Sequence, residues 1–139
     1  MIVLDTNVLS EALRPAPEPL VLDWLANQPR TSLYITTVTR GEILYGIRLL
    51  VDSKRRRRLW DAARMIFDED FADQMLSFDS DAADMYAEIA ASRRTAGKPI
   101  SQFGAMIVAI AGSRGASLAT RNAKDFEECA VDIINPWAV

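Results

Sequence analysis

The opening stretch of the chain constrains its fold most strongly, because a short apolar run stops abruptly at three polar residues. The run comprises Ile2, Val3 and Leu4, and it is rich in β-branched residues. Such a run is typical of a strand that is buried on both faces of a parallel sheet. Asp-Thr-Asn follows at 5–7, and apolar residues then recur at helical spacing. The stretch therefore predicts a strand that ends at Asp5 and leads into a helix.

Asp5 is the first candidate site residue, since ligands of open α/β sheets bind at the carboxyl ends of the strands. A carboxylate at that edge, with the Thr6 hydroxyl and the Asn7 amide beside it, suits a hard cation. The same residue types are also common in turns and helix caps. On this stretch alone, a capping role and a metal-binding role both stay open.

Short apolar runs and helical patterns alternate along the rest of the chain. Further strands are predicted at 33–35, 75–78, 117–119 and 131–134. Seven consecutive apolar residues at 105–111 predict a helix that is buried all round. The alternation predicts one α/β domain over residues 1–139, with three α/β/α layers and a mainly parallel sheet.

Composition restricts the chemistry that the chain can perform. It contains no histidine and a single cysteine, Cys129, which excludes Ser-His-Asp and Cys-His catalysis, histidine-bound zinc and an internal disulfide. An enzyme built from this chain must therefore rely on carboxylates or a metal. The net charge of −3 argues against an independent grip on long duplex DNA. No apolar run reaches membrane-spanning length, so we expect a soluble, cytoplasmic protein without membrane contact.

Glu42 is the second candidate carboxylate, because it falls within an apolar stripe of the helix after the second strand. That stripe consists of Val38, Tyr45 and Leu49. A carboxylate among apolar neighbours costs free energy unless it is paired or binds a cation. The structural alternative is a salt bridge to Arg40 or Arg48. We expect Thr37 or Thr39 to cap this helix.

A basic run at 54–58, Lys-Arg-Arg-Arg-Arg, is compatible with two interpretations. It can be a solvated helix start that acidic residues at 61 and 68–70 partly balance. It can also be a phosphate-contacting patch for RNA, or a docking surface for an acidic partner.

Several motifs occur together in an order that resembles a known family. They are Leu-Asp-Thr-Asn-Val-Leu at 4–9, Glu42 early in its helix, and Thr-Arg-Asn-x-x-Asp-Phe at 120–126. Together they resemble the PIN domain, and the similarity covers essentially the whole chain. It is closest to the VapC type, the toxin of type II toxin–antitoxin pairs, including its FitB-like branch.

The resemblance implies an endoribonuclease that depends on Mg²⁺ or Mn²⁺, in which an acidic cluster holds one or two ions that activate water. By matching position, Asp5 is a metal ligand, and Glu42 is a ligand or positions the water. Either Asp125 or Asn122 supplies a further corner. The supporting polar residues are Thr6, Asn7, Thr120 and Asn122.

Gly104 departs from the family pattern, which has an aspartate at this helix start. Losing a central carboxylate is expected to weaken metal binding. Three explanations stay open: a degenerate toxin, a substitution that permits expression of a toxic nuclease, or compensation by Asp125. The alternative function is a weak or inactive PIN scaffold that binds its antitoxin in an operon-repressing complex.

The resemblance also implies partners. The expected ones are an RNA substrate and a VapB-type antitoxin whose C-terminal segment places an arginine or lysine among the carboxylates. DNA contact would come only through the antitoxin. A homodimer is expected through the stripe that contains Tyr45 and through the Trp24/Leu25 pair. No aromatic pair near the site indicates a base-stacking surface, so the RNA target cannot be read from the sequence.

Overall fold

A central five-stranded sheet organises the chain, and the computed structural model describes all residues 1–139. The strands are β1 (Ile2–Leu4), β2 (Leu33–Thr36), β3 (Met75–Leu76), β4 (Ser117–Ala119) and β5 (Ile133–Ile134). Their order is β3-β2-β1-β4-β5, and every pairing is parallel. The predicted parallel sheet is confirmed, and its central strand is the opening run of the chain.

Seven α-helices connect and cover the strands. They are α1 (Thr6–Ala12), α2 (Pro19–Ala26), α3 (Thr37–Arg48), α4 (Lys54–Met65), α5 (Ser80–Thr95), α6 (Gln102–Ser113) and α7 (Ala123–Phe126). A 3-10 turn at Arg30–Ser32 precedes β2, and a π-helical turn at Ile66–Asp70 extends α4. None of these helices combines the length and apolar character needed to cross a lipid bilayer.

Two hydrophobic cores lie on opposite faces of the sheet, because successive strand residues point to opposite sides. Val3 and Leu118 pack with α5 and α6 on one face. Leu4 and Ala119, one residue further along each strand, pack with α1 to α4 on the other face. The predicted three-layer α/β/α architecture is therefore confirmed.

Helix α6 is the most deeply buried helix, as its apolar sequence predicts. Six of the seven residues at 105–111 are buried, and Met106 is half-buried. Small side chains such as Ala105 and Ala109 allow the helix to approach the sheet closely. The helix begins at Ser101, whose Oγ accepts a hydrogen bond of 3.0 Å from the N–H of Gly104.

The predicted cap of α3 is wrong by one position. Thr36, the last residue of β2, caps the helix, and its Oγ1 accepts a hydrogen bond of 3.1 Å from the N–H of Thr39. Thr37 is the first helical residue, and the Thr39 hydroxyl is directed to other partners. The strand passes into the helix without a loop, so the cap belongs to the strand.

The predicted interface role of Trp24 is also wrong. Trp24 is 9 % exposed and packs in the core on the α1–α4 face, and Leu25 packs against the same core. The stripe on α3 behaves differently, since Tyr45 and Leu49 are each 67 % exposed.

The basic run forms the start of α4, which Ser53 caps. Arg56 and Arg57 lie 4.0 and 3.4 Å from Asp52, which precedes the helix. The expected balance from Asp68 is wrong for this run, because Asp68 pairs with Arg40 and Arg64 instead.

We expect Ile110→Ala to lower the free energy of unfolding by about 2–5 kcal/mol, because it opens a cavity in the central helix. Ile110 is fully buried in α6. Met65→Ala, at a side chain that is 62 % exposed, is the control and should change stability by about 0.5 kcal/mol at most. Urea unfolding of both variants measures the difference. Equal losses would mean that α6 is not the centre of the core.

Candidate functional site

Asp5 is fixed at the carboxyl end of the central strand by both its backbone and its side chain. Its N–H donates to the Ala119 carbonyl of β4 at 2.9 Å. One carboxylate oxygen accepts from the Thr6 N–H at 2.8 Å, and the other accepts from the Thr120 hydroxyl at 2.8 Å. The side chain thus caps α1, yet burial still raises the pKa of the Asp5 carboxyl despite these hydrogen bonds. A capping role and a ligand role are therefore compatible at this residue.

Glu42 lies in α3 next to Asp5, and neither of its predicted salt bridges forms. Arg40 pairs with Asp68 at 3.1 Å, and the Arg48 guanidinium lies over the Trp60 ring. Glu42 instead accepts a hydrogen bond of 2.8 Å from the Thr6 hydroxyl through Oε1. Partial burial raises the pKa of the Glu42 carboxyl, and the nearby charge of Asp5 raises it further.

Three threonine hydroxyls form a directed chain that ends on Glu42. Because Thr6 Oγ1 donates to Glu42, it must accept from the Thr39 hydroxyl, which lies 2.9 Å away. The Thr36 hydroxyl in turn donates to Thr39 Oγ1 at 3.4 Å. Thr36 and Thr39 are completely buried, so water does not compete for these bonds. The chain holds the carboxylate of Glu42 in one position.

Thr120 and Asn7 connect the first helix to the loop after β4. Thr120 Oγ1 donates to Asp5 and accepts from the Asn7 amide at 3.3 Å and from the Asn122 N–H at 3.1 Å. Asn7 Oδ1 accepts from the backbone N–H of Arg121 at 3.3 Å. The predicted supporting residues therefore form one hydrogen-bonded group around Asp5.

These residues surround a pocket of about 640 Å³ at the carboxyl edge of the sheet. Among the predicted residues, the pocket is lined by Asp5, Thr6, Asn7, Glu42, Gly104, Asn122 and Asp125. Asp125 is exposed in the short helix α7, and the Asn122 side chain makes no capping bond. The structure brings both candidates for the additional metal ligand, Asn122 and Asp125, to the pocket. Neither side chain is paired with a charged group.

Nine further residues line the pocket without having been predicted as site residues, among them Glu11, Arg14, Ser101, Arg121 and Trp137. Glu11 is 5 % exposed and is paired with Arg14 at 3.2 Å. The sequence had indicated no aromatic pair near the site, but two aromatic residues line the pocket: Phe126 of α7 and Trp137, which comes from the segment after β5. Arg121 lies within the Thr-Arg-Asn motif that the sequence analysis identified, so its location at the site could have been predicted from that motif.

The oxygen-rich donor set fits a hard cation better than a soft one. Asp5 and Glu42 are two adjacent carboxylates with raised pKa values, and a cation would favour their charged forms. No three carboxylate, thiol or imidazole groups of the chain stand close enough together to form a metal cluster. The donors thus suit an ion such as Mg²⁺ that uses one or two carboxylates and keeps several waters.

Gly104 lies buried in the first turn of α6 and faces the same pocket. A Cβ atom added there would stand 2.8 Å from Ser101 Oγ and 3.3 Å from Cζ of Phe126. Ser101 would have to turn away from its capping position to accommodate any side chain. The glycine is therefore matched to its present surroundings.

The fold and the site define an α/β protein with a carboxylate pair at the edge of a parallel sheet. The model of the PIN domain matches residues 2–131. The chain is 40 % identical over 137 residues to the plasmid stability protein StbB of Pseudomonas syringae pv. tomato, covering 99 % of each chain. It is 37 % identical to the VapC ribonuclease Y4jK of Sinorhizobium fredii, over 99 % of this chain and 98 % of that relative.

A solved structure gives the same assignment. The crystal structure of FitAcB from Neisseria gonorrhoeae contains a chain with a TM-score of 0.93 and 34 % identity, and each chain is covered completely. The chain belongs to the PIN-domain family, and its relatives include VapC-type and FitB-type toxins. The resemblance inferred from the motifs is confirmed.

The raised carboxyl pKa values predict how stability depends on pH in the metal-free protein. The folded state binds protons more tightly than the unfolded state, so Asp5 and Glu42 cost stability as pH rises through their raised pKa values. Asp5→Asn should therefore become progressively more stable relative to wild type as the pH rises from about 4, the ordinary pKa of an aspartate, through the raised pKa of the folded protein. Thermal unfolding in EDTA measures this difference, with Glu88→Gln on the exposed surface of α5 as the control. A difference that does not vary with pH would contradict the assignment.

Proposed function

We propose that this chain is a divalent-metal-dependent endoribonuclease toxin that an antitoxin holds inactive. The observation that carries the proposal is the pair of carboxylates, Asp5 and Glu42, joined through Thr6 at the carboxyl edge of the sheet. The family supports it, because relatives that match over nearly the whole chain are named ribonuclease, endonuclease or toxin.

Each residue of the pair has a distinct task in this proposal. Asp5 is held by Thr6 and Thr120, so it provides a fixed anionic corner. Glu42 uses one oxygen to accept from Thr6, which leaves its second oxygen for an ion or for the proton of an attacking water. Asp5 and Glu42 would hold Mg²⁺ or Mn²⁺, with Asp125 or Asn122 in reach across the pocket. A bound divalent ion would supply a nucleophile at neutral pH and neutralise phosphate charge.

The direct test is a panel of structured RNAs incubated with and without Mn²⁺, with the cut sites mapped. We expect metal-dependent cleavage that Glu42→Gln lowers by about 100-fold or more, because the substitution removes the charge and the proton acceptor. Glu88→Gln, at an exposed side chain of α5, removes the same charge and should cleave normally. Cleavage that persists in EDTA, or that Glu42→Gln leaves unchanged, would contradict the proposal.

A second candidate function follows from Gly104. The absence of a side chain there leaves the carboxylate pair without a close third acid. The chain would then be a weak or inactive PIN scaffold whose main task is to bind the antitoxin in an operon-repressing complex. The two functions differ in one measurable quantity, the rate of RNA cleavage by the purified chain.

Gly104→Asp tests whether position 104 is part of the metal site. We expect it to raise Mn²⁺ affinity and RNA cleavage by about 10- to 100-fold, since a third carboxylate would hold the ion in place. It should also lower the stability of the metal-free protein by about 1 kcal/mol, because the new Cβ displaces the Ser101 cap. Calorimetric Mn²⁺ titration, RNA cleavage and thermal unfolding measure the three effects.

Two matched variants control for the added bulk at this position. Gly104→Ala adds the same Cβ without a carboxylate, and Gly104→Asn adds a neutral side chain of the aspartate shape. Both should lose stability without gaining Mn²⁺ affinity. If Gly104→Asp binds Mn²⁺ and cleaves RNA no better than Gly104→Asn, position 104 is not a corner of the site.

The antitoxin has a suitable surface beside the site. A groove of about 710 Å³ runs between α1, α3 and α4 and shares Thr6, Arg14 and Glu42 with the carboxylate pocket. Its lining combines apolar side chains such as Ile43, Ile47 and Leu59 with polar and charged ones, which include Arg55 and Arg58. We propose that the partner lays an apolar segment in this groove and directs an arginine or lysine to Asp5 and Glu42. Solved relatives such as FitAB bound to DNA are complexes, so DNA contact would come through the partner.

A homodimer stays part of the proposal. The exposed side chains of Tyr45 and Phe103 line an apolar cavity of about 790 Å³ together with Val38, Phe78 and Met106. An exposed apolar surface of this kind is typical of an interface. It lies beside Glu42, so a second copy would stand next to the carboxylate pocket.

A further inference from the structure

Arg121 is a cation held in place at the rim of the carboxylate pocket. It follows Thr120 in the loop after β4, and its backbone N–H is fixed by Asn7 Oδ1 at 3.3 Å. Its guanidinium carbon lies 5.2 Å from the centre of the Trp137 ring, which is the distance of a cation–π contact. Both side chains line the pocket that contains Asp5 and Glu42. The hydrogen bond to the Arg121 backbone and the contact with the Trp137 ring therefore both help to fix the position of the guanidinium.

This guanidinium is not used in an ion pair, although acidic residues line the same pocket. The eight ion pairs of the chain include Arg14 with Glu11 but none with Arg121. An arginine that only balanced the local negative charge would contact Asp5, Glu42 or Asp125. Arg121 is instead exposed and keeps its hydrogen-bond donors free.

Trp137 is better suited to anchor the arginine than to stack on a nucleobase. One face of its ring is covered by the guanidinium, and the ring also packs against the core on the α1–α4 side of the sheet. A flat, rigid support lowers the entropy that the guanidinium loses when it binds a planar or tetrahedral anion.

We propose that Arg121, supported by Trp137, binds a phosphate of single-stranded RNA next to the phosphate that is cleaved. The inference rests on the proposed ribonuclease function and deepens it. A polyanion that approaches two carboxylates needs a nearby cation, and a guanidinium binds phosphate oxygens in bidentate geometry. Because Arg121 stands at the rim and not on Asp5 or Glu42, it contacts the flanking chain and acts as a binding residue.

The test measures binding of a fluorescent single-stranded oligoribonucleotide by anisotropy, in EDTA and over a series of salt concentrations. Arg121→Ala should weaken binding by about tenfold and reduce the slope of log K against log salt by about 0.7, which is the loss of one phosphate contact. Arg121→Lys should keep the slope but bind more weakly than wild type, because an ammonium lacks the fork and the flat face.

Arg30→Ala is the matched control, since it removes the same charge from a side chain that is 70 % exposed, pairs with Asp70 and precedes β2 at the opposite edge of the sheet. It should leave both affinity and slope unchanged. Trp137→Leu keeps the charge, so it should lower affinity without changing the slope. In cleavage with Mn²⁺, Arg121→Ala should raise KM and change kcat little, because the contact lies outside the scissile phosphate.

The outcomes separate this inference from the proposed function. RNA binding that depends on Arg121, in a chain that cleaves no RNA, supports the phosphate site and overturns the ribonuclease. If the wild-type protein cleaves RNA but Arg121→Ala changes neither the RNA affinity nor the salt slope, the inference is overturned and the proposed ribonuclease function is not. Equal effects of Arg30→Ala and Arg121→Ala overturn it as well, since the cation would then act only through net charge. If Arg121→Ala weakens only the complex with the antitoxin, the residue belongs to the protein interface.

Discussion

Burial of the Asp5 carboxylate is the constraint on which the site and much of the fold depend. An ionised group that is 7 % exposed loses most of its hydration, so its neighbours must supply hydrogen bonds in place of water. They come from the Thr6 backbone and the Thr120 hydroxyl, which lie on different elements. The same aspartate joins β1 to β4 through its N–H. The charge can be held there only when the strand, the helix and the β4 loop meet in one arrangement.

The second carboxylate depends on this arrangement through Thr6. That residue donates its N–H to Asp5 and its hydroxyl to Glu42, so one side chain fixes the relation between the two acids. Behind it, Thr39 and Thr36 extend the hydrogen bonds into the buried end of β2. Two like charges remain adjacent because directed hydrogen bonds from Thr6 and Thr120 hold the two carboxylates in place. Two carboxylates held this close together favour binding of a cation, or of protons when no cation is bound.

The sequence predicted those features of the fold and site that depend on a pattern among neighbouring residues. Periodicity predicted the strands and the buried helix α6, and the polar residues after the strands predicted that Asp5, Glu42 and Asp125 would share one pocket. It failed where tertiary packing decided the outcome. The Trp24/Leu25 pair was assigned to a dimer interface because the sequence does not show what covers the apolar stripe of α2, which packs into the core of its own chain. Trp137 lies outside the motifs, and the pairing of β5 with β4 brings its segment to the pocket. The crowding of position 104 by the Ser101 side chain was also missed, because it depends on where the capping hydroxyl lies in the folded chain.

The bond between Thr120 and Asp5 spans 115 residues of sequence, and the central strand pairs with a neighbour almost as distant. During synthesis on the ribosome, β1 emerges first and its far partner β4 among the last of the strands. Until residue 120 has left the exit tunnel, the first carboxylate stays hydrated and its pocket has no wall. A nascent chain thus cannot complete the carboxylate pocket while most of the domain is still being synthesised. The order of the strands in the sheet delays assembly of the site until the domain is nearly complete.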